Sequence, residues 1–173
     1  ADITVSYIES PLTTPYTYDR FFGTQYAPDY RGLFQELITE YKIPNQTSEW
    51  TKDGVQLICQ NPTSDYEAPK DISLETFIKV MYSSDALINI IDIGTSWDKE
   101  ITKDLVDIAD IVVMVVTPDV PLLQQLEENP KLKSIVETEK LHFIGNRFSE
   151  GIINNPLIKD LLAEKLILTL PSF

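Results

Sequence analysis

Two runs of apolar residues, LINIID at 87–92 and DIVVMVV at 110–116, flank an amphipathic stretch, DKEITKDLVDIA at 98–109. A strand that is apolar at every position has no face for water, so it belongs in a sheet covered on both sides. An amphipathic helix between two such strands supplies one of the covers. The link between them is then a right-handed crossover joining parallel strands.

The same reading extends along the chain. Residues 2–8, DITVSYI, form a buried strand that ends at Glu9. LHFIG at 141–145 is a third apolar run, ended by Asn146 and Arg147, and LILTL at 166–170 is a last strand before Pro171. Helices are predicted over 29–42, where Leu33, Phe34, Leu37, Ile38 and Tyr41 fall at helical spacing, and from Ser73 over SLETFIKVMYSS. Two more are predicted, one running to about Glu128 and one over 156–165. Asp53-Gly54 between two strand-like runs predicts a hairpin. Residues 10–17, with Pro11 and Pro15, and 61–72, with Pro62 and Pro69, are expected to be loops. Asp19-Arg20-Phe21-Phe22-Gly23, preceded by Tyr16 and Tyr18, is an aromatic-rich loop. It is either an exposed partner-binding patch or a plug at the sheet edge. The fold class expected is α/β, with three layers, a mostly parallel sheet and helices on both faces.

At 173 residues the chain fits one domain, 1–173, with enough length to bury a core without staples. Asp and Glu number 27 against 14 Lys and Arg, a net charge of -13. Such a chain is repelled by phosphate backbones, which argues against non-specific nucleic-acid binding. No apolar stretch reaches the length of a membrane span, and the single cysteine, Cys59, makes no internal disulfide, which suits a reducing compartment. A cytoplasmic protein is the expectation.

Open parallel sheets bind ligands at the carboxyl ends of their strands. The groups placed there are Glu9, Asp92, the Thr117-Pro118-Asp119 turn, Asn146-Arg147, and Pro171-Ser172. Each also has a plainer reading as a turn or cap residue. An Asn amide carries both a donor and an acceptor, which matches the edge of an adenine base. His142 lies inside an apolar strand and reads as structural, as does Cys59. No zinc-type ligand spacing and no G-x-S-x-G elbow occurs.

In order, these segments resemble the MinD/ParA family of deviant-Walker P-loop ATPases. VSYIES (5–10) resembles the strand that ends in an acid, WTKDGVQLI (50–58) the hairpin region, and INIIDIG (88–94) the Walker B strand and its switch. VVTPDVPLL (115–123), FIGNRF (143–148) and LILTLP (166–171) resemble the later turn, the Asn-Arg that meets adenine, and the last strand with its proline. Within the family, ESPLTTPY (9–16) is most similar to the atypical TadZ/CpaE members, which localise pilus-secretion machinery. The resemblance implies Glu9 and Asp92 as catalytic acids, Asp92 as the residue that holds the water shell of Mg bound to ATP, and Thr117, Pro118, Asn146, Arg147 and Pro171 as nucleotide contacts. It also implies protein partners, a homodimer, and recruitment to membrane or cell pole through those partners.

Two departures stand against that pattern. No G-x-x-x-x-G-K-[ST] occurs, so the phosphate cradle and its lysine are missing from this sequence. Pro11 stands where the family has a second acid that orients the attacking water. The chain is therefore expected to be a fragment of a longer protein, without the first strand, the P-loop and the C-terminal helices. ATP and Mg are implied only if a P-loop lies upstream. The functional expectation is an ATP-binding or degenerate ATPase-like positioning protein or scaffold, at most a slow ATPase. The alternatives are a catalytically dead protein-interaction domain, and a receiver- or flavodoxin-like regulatory domain in which Glu9 and Asp92 mimic the acid cluster.

Overall fold

The computed structural model describes residues 3–22, 34, 37, 51–60, 72–84, 86–130, 132–162 and 165–171. The chain divides into two compact units, 1–102 and 103–173.

In the first unit, the β-branched run at the start forms β1 (Val5–Glu9). After it come α1 (Thr17–Phe22), β2 (Thr51–Lys52), β3 (Val55–Ile58), α2 (Leu74–Ser83) and β4 (Ile88–Asp92). The sheet order is β2-β3-β1-β4. β1 is central and runs parallel to both neighbours, with Ile8 beside Ile58 and Ile91, and Glu9 beside Asp92. β2 and β3 form the expected hairpin, in which Asp53 (φ 52) and Gly54 (φ 82) both take the left-handed conformation that a tight two-residue turn requires. Ser73 caps α2 as expected, its hydroxyl accepting from the Thr76 amide. Of the helix predicted over 29–42, only Phe34 and Leu37 are described; both are helical and buried, and Phe34 meets Phe77 of α2 edge-on at 5.0 Å. The predicted loop at 61–72 lies outside the described residues except for Ile72, which is buried. A polar clasp joins strand to strand and to helix: Ser6 of β1 and Ser84 after α2 both donate to Asn89 Oδ1 of β4, at 2.6 and 2.8 Å.

One segment departs from expectation. Residues 17–22 form a helix, not the predicted aromatic loop. Tyr18 is buried against Leu57 and Cys59, while Phe21 is 45% exposed beneath the Lys52 ammonium, so Phe21 does not plug the sheet edge.

Helix α3 (Glu100–Ile108) crosses the unit boundary. The second unit continues with β5 (Val112–Val116), α4 (Val120–Glu128), α5 (Lys133–Val136), β6 (Leu141–Asn146), α6 (Glu150–Ile153), α7 (Pro156–Leu162) and β7 (Leu166–Leu170). Its sheet is all parallel, in the order β5-β6-β7. The short helices α5 and α6 were not expected from the sequence. Asp119 caps α4 by accepting from the Leu122 amide, and Pro121 sits in the first turn, where no N–H is needed. Val116, Leu123, Leu141, Phe143, Phe148, Ile158 and Leu162 form the core, joined by Val112 and Met114. The alternate residues Val113 and Val115 stay 47% and 62% exposed, so this unit's helices cover one face of its sheet.

Gly145 of β6 lies under Phe148: a Cβ at this position would stand 2.8–3.0 Å from the ring. Ala cannot enter without moving the ring from the core. Gly145→Ala is expected to lower stability by about 1–3 kcal/mol, and the loss should shrink when Phe148→Leu is added. Urea denaturation of the two variants and the double variant checks both statements.

Candidate functional site

Glu9 ends the central strand and is completely buried. Its Oε1 accepts from the Tyr16 amide (2.9 Å), the Thr17 amide (2.9 Å) and the Thr17 hydroxyl (2.8 Å), and its Oε2 accepts from the Gln60 amide (2.9 Å). The carboxylate thus caps α1 from a distant strand and ties down the chain after β3. A buried charge needs such donors, because water cannot reach it. All four are protein groups, and nothing in this arrangement offers Glu9 to a water molecule. Pro11 is also fully buried, so this position faces no solvent.

Asp92 ends the adjacent strand and is directly opposite Glu9 in register. Its Oδ2 accepts from the Tyr7 phenol at 2.5 Å and from the Tyr16 phenol, and its Oδ1 accepts from the Gly94 amide at 2.8 Å. The two phenol oxygens are 3.2 Å apart. Partial burial by itself would raise the Asp92 pKa; the hydrogen bonds from Tyr16, Tyr7 and Gly94 outweigh it and hold the carboxyl below its ordinary value. Burial, then the bond to Asp92, pushes both phenols upward, Tyr7 strongly. Tyr16 therefore bridges the two acids, with its amide on Glu9 and its phenol on Asp92.

The intervening loop is packed onto the turn after β4. Ser10 N–H donates to the Asp92 carbonyl (2.9 Å), Ser96 Oγ donates to the Leu12 carbonyl (3.0 Å), and Thr13 lies against Gly94. Gly94 has φ +54, and a Cβ there would come within 2.6 Å of Thr13 Cγ2, so glycine is required twice over. Gln60 Nε2 donates to the Ser10 and Thr13 carbonyls at 2.6 and 3.0 Å, while its buried Oε1 has no partner among the described residues. Burial, and then the charge of Glu9, pushes the Cys59 thiol up to about 12, so it stays protonated and unreactive at neutral pH.

In the second unit, Thr117, Pro118, Asp119, Val120, Pro121 and Arg147 line an open depression of ≈ 580 Å³ at the carboxyl ends of β5 and β6. The structure thus brings Thr117, Pro118 and Arg147 together. Asn146 is the last residue of β6, opposite Leu170 of β7, and Pro171 follows that strand as an exposed residue. Arg147 has φ 63, an unfavourable conformation for a residue with a side chain. It is held there because the next residue, Phe148, is buried and its amide donates to the Leu170 carbonyl at 3.0 Å. His142 is paired with Val113 inside the sheet.

Parallel strands, the helices that join them and polar groups at the strands' carboxyl ends define an α/β fold. The solved structures agree. A ParA family ATPase from Chlorobium tepidum TLS matches with a TM-score of 0.73 and 16% identity, over 100% of this chain and 73% of that one. A chain of the MinC:MinD cell division protein complex of Aquifex aeolicus matches with a TM-score of 0.62 and 17% identity, over 99% and 70%. The fold is therefore of the ParA/MinD type. No protein-family profile and no curated protein matches the sequence.

A fold of this type raises the question of ATP and Mg. The sequence holds no G-x-x-x-x-G-K-[ST], and among the described residues no group of three or more His, Cys, Asp or Glu could hold a metal. The two carboxylates nearest such a role are already engaged by protein donors. Glu9 and Asp92, as arranged, do not fit a magnesium ion. Nothing local in the sequence ties Tyr16 or Gln60 to these acids. Strand alternation offered a signal for Tyr7 alone, which shares a face with Glu9 and Asp92.

Glu9→Gln places an amide NH₂ among four donors that need an acceptor. It is expected to cost about 1–3 kcal/mol, read as a lower urea midpoint. Stability should also depend on pH through Asp92 and the phenols. Asp92 is depressed in the fold, so its contribution is complete above the ordinary carboxyl value of 3.8 and is lost as pH falls below it. Tyr7 is raised, so its contribution is complete below 10.0 and is lost as pH climbs past that value. Cys59 is raised as well, so the urea midpoint should begin to fall above 9.0 and fall further above 10.0, and Tyr7→Phe should remove the second part of that alkaline fall.

Proposed function

We propose that this chain is the scaffold portion of a ParA/MinD-like positioning protein, one that recruits partner proteins and does not itself turn over nucleotide at an appreciable rate. The observation that carries this reading is the state of Glu9. A general base must present a lone pair to water within hydrogen-bond reach. Glu9 is buried, with its oxygens spent on Tyr16, Thr17 and Gln60. The neighbouring Pro11 has no acid to substitute and is buried as well. What remains is an α/β framework.

The neighbours support the recruiting half of the reading. One is part of a complex between MinC and MinD, and the other is a ParA family ATPase. A platform of the same fold is suited to the same kind of partnership, with protein surfaces and with a second copy of itself. The net charge of -13 argues for protein partners over nucleic acid. Pilus or secretion-complex localisation is the finer proposal; it rests on the ESPLTTPY segment, and recruitment to the membrane or pole would then run through partners. No helix among the described residues is long and apolar enough to cross a membrane.

The test is phosphate release from ATP with Mg by the full chain, beside its Asp92→Asn variant. No release above background is expected from either. Turnover by the wild-type chain that disappears in Asp92→Asn would overturn the proposal.

A further inference from the structure

Asp92 is the residue that a P-loop-type fold would reserve for a cation, and its surroundings say otherwise. A divalent metal, bound directly or through its water shell, needs carboxylate lone pairs directed at it and several further oxygens. Here both acceptor sites of Oδ2 are engaged by two phenols, and one of those on Oδ1 by the Gly94 amide. Glu9, the one acid opposite it in register, is consumed by its own donors.

The phenols are not isolated decorations. Tyr16 closes the segment 10–16, which is fastened along its length. Ser10 N–H bonds the Asp92 carbonyl, Thr13 rests on Gly94, and Ser96 holds the Leu12 carbonyl. At the far end the Tyr16 amide bonds Glu9 while its phenol reaches Asp92. Charge-assisted hydrogen bonds of this kind are stronger than neutral ones, so Asp92 fastens the Tyr16 side chain while Glu9 fastens its backbone.

We infer that residues 10–16 form a strap latched by Tyr16 and Tyr7 onto Asp92, and that these phenols and a divalent cation are mutually exclusive at that carboxylate. The strap must lift before Asp92 can meet a metal. In the latched state Asp92 is a positioning residue for the strap. This inference stands apart from the partner-recruiting proposal, because it concerns the occupant of one carboxylate whatever the chain recruits.

Manganese titration followed by electron paramagnetic resonance tests it on the full chain. Wild type and Asp92→Asn should bind manganese alike, with no Asp92-dependent site. The Tyr7→Phe/Tyr16→Phe variant keeps both rings but frees Oδ2, and it should gain manganese binding that Asp92→Asn then abolishes. Wild-type binding that weakens about tenfold or more in Asp92→Asn would overturn the inference, as would no gain in the double phenylalanine variant. A second measurement covers the case in which that variant fails to fold. Amide exchange at Tyr16 and Thr17 should quicken about tenfold in Tyr16→Phe alone, the loss expected from one hydrogen bond to a charged group. Unchanged exchange would show that Glu9 holds the segment unaided, and the latch would be refuted.

Discussion

The first unit is organised by one buried charge. Glu9 sits at the end of the central strand, where a carboxylate would ordinarily seek water, and instead it has no exposed surface at all. Burying an ion is tolerable only when donors replace its hydration. Those donors come from two separate stretches of chain, residues 16–17 and residue 60. The requirement to satisfy Glu9 therefore places the start of α1 and the exit of β3 together. With α1 so placed, Tyr18 lands on Leu57 and Cys59 and completes a small core. The same turn delivers Tyr16 to Asp92. Remove the charge and each of these placements loses its reason.

The second unit follows a different rule, one of shape. Phe148 is buried, and its ring lies over a residue without a side chain, Gly145. To reach that place directly after β6, the chain turns through Arg147 in a left-handed conformation. Strain of this kind persists where surrounding packing over-determines it. The consequence is that Arg147 is presented beside Thr117 and Pro118 at the rim of the depression. An apolar packing requirement in the core thus decides where a cationic side chain stands at the surface.

These two rules explain how much was legible in the sequence. Local signals were reliable. Asp53-Gly54 specified its hairpin because only residues that tolerate positive φ fit there. Ser73 and the apolar runs at 87–92 and 110–116 marked a helix start and strands whose chemistry is contained within a few residues. Helix α1 was not legible because its cap is a side chain seven and eight residues upstream on another element. Without that cap, TYDRFF is too short to show a helical period of its own. The phenol pair was hidden for a stronger reason: Tyr7 and Tyr16 meet Asp92 across 85 and 76 residues of sequence.

A carboxylate after an apolar strand reads from sequence as a free functional group, since the pattern records position and not company. Glu9 and Asp92 are side by side, as the strand arithmetic requires, yet their fates were set by the segment between 10 and 17. That segment carries Pro11 and Pro15, which keep it out of regular structure and leave its side chains free to meet both acids. Proline here restricts the path of the loop, and tyrosine supplies the donors. The distinction between an open acidic site and a latched one then lies in a few loop residues on an otherwise shared fold. Likeness of fold to ParA and MinD structures consequently says little about whether this pair of acids works on a ligand, and the donors around each oxygen say a great deal.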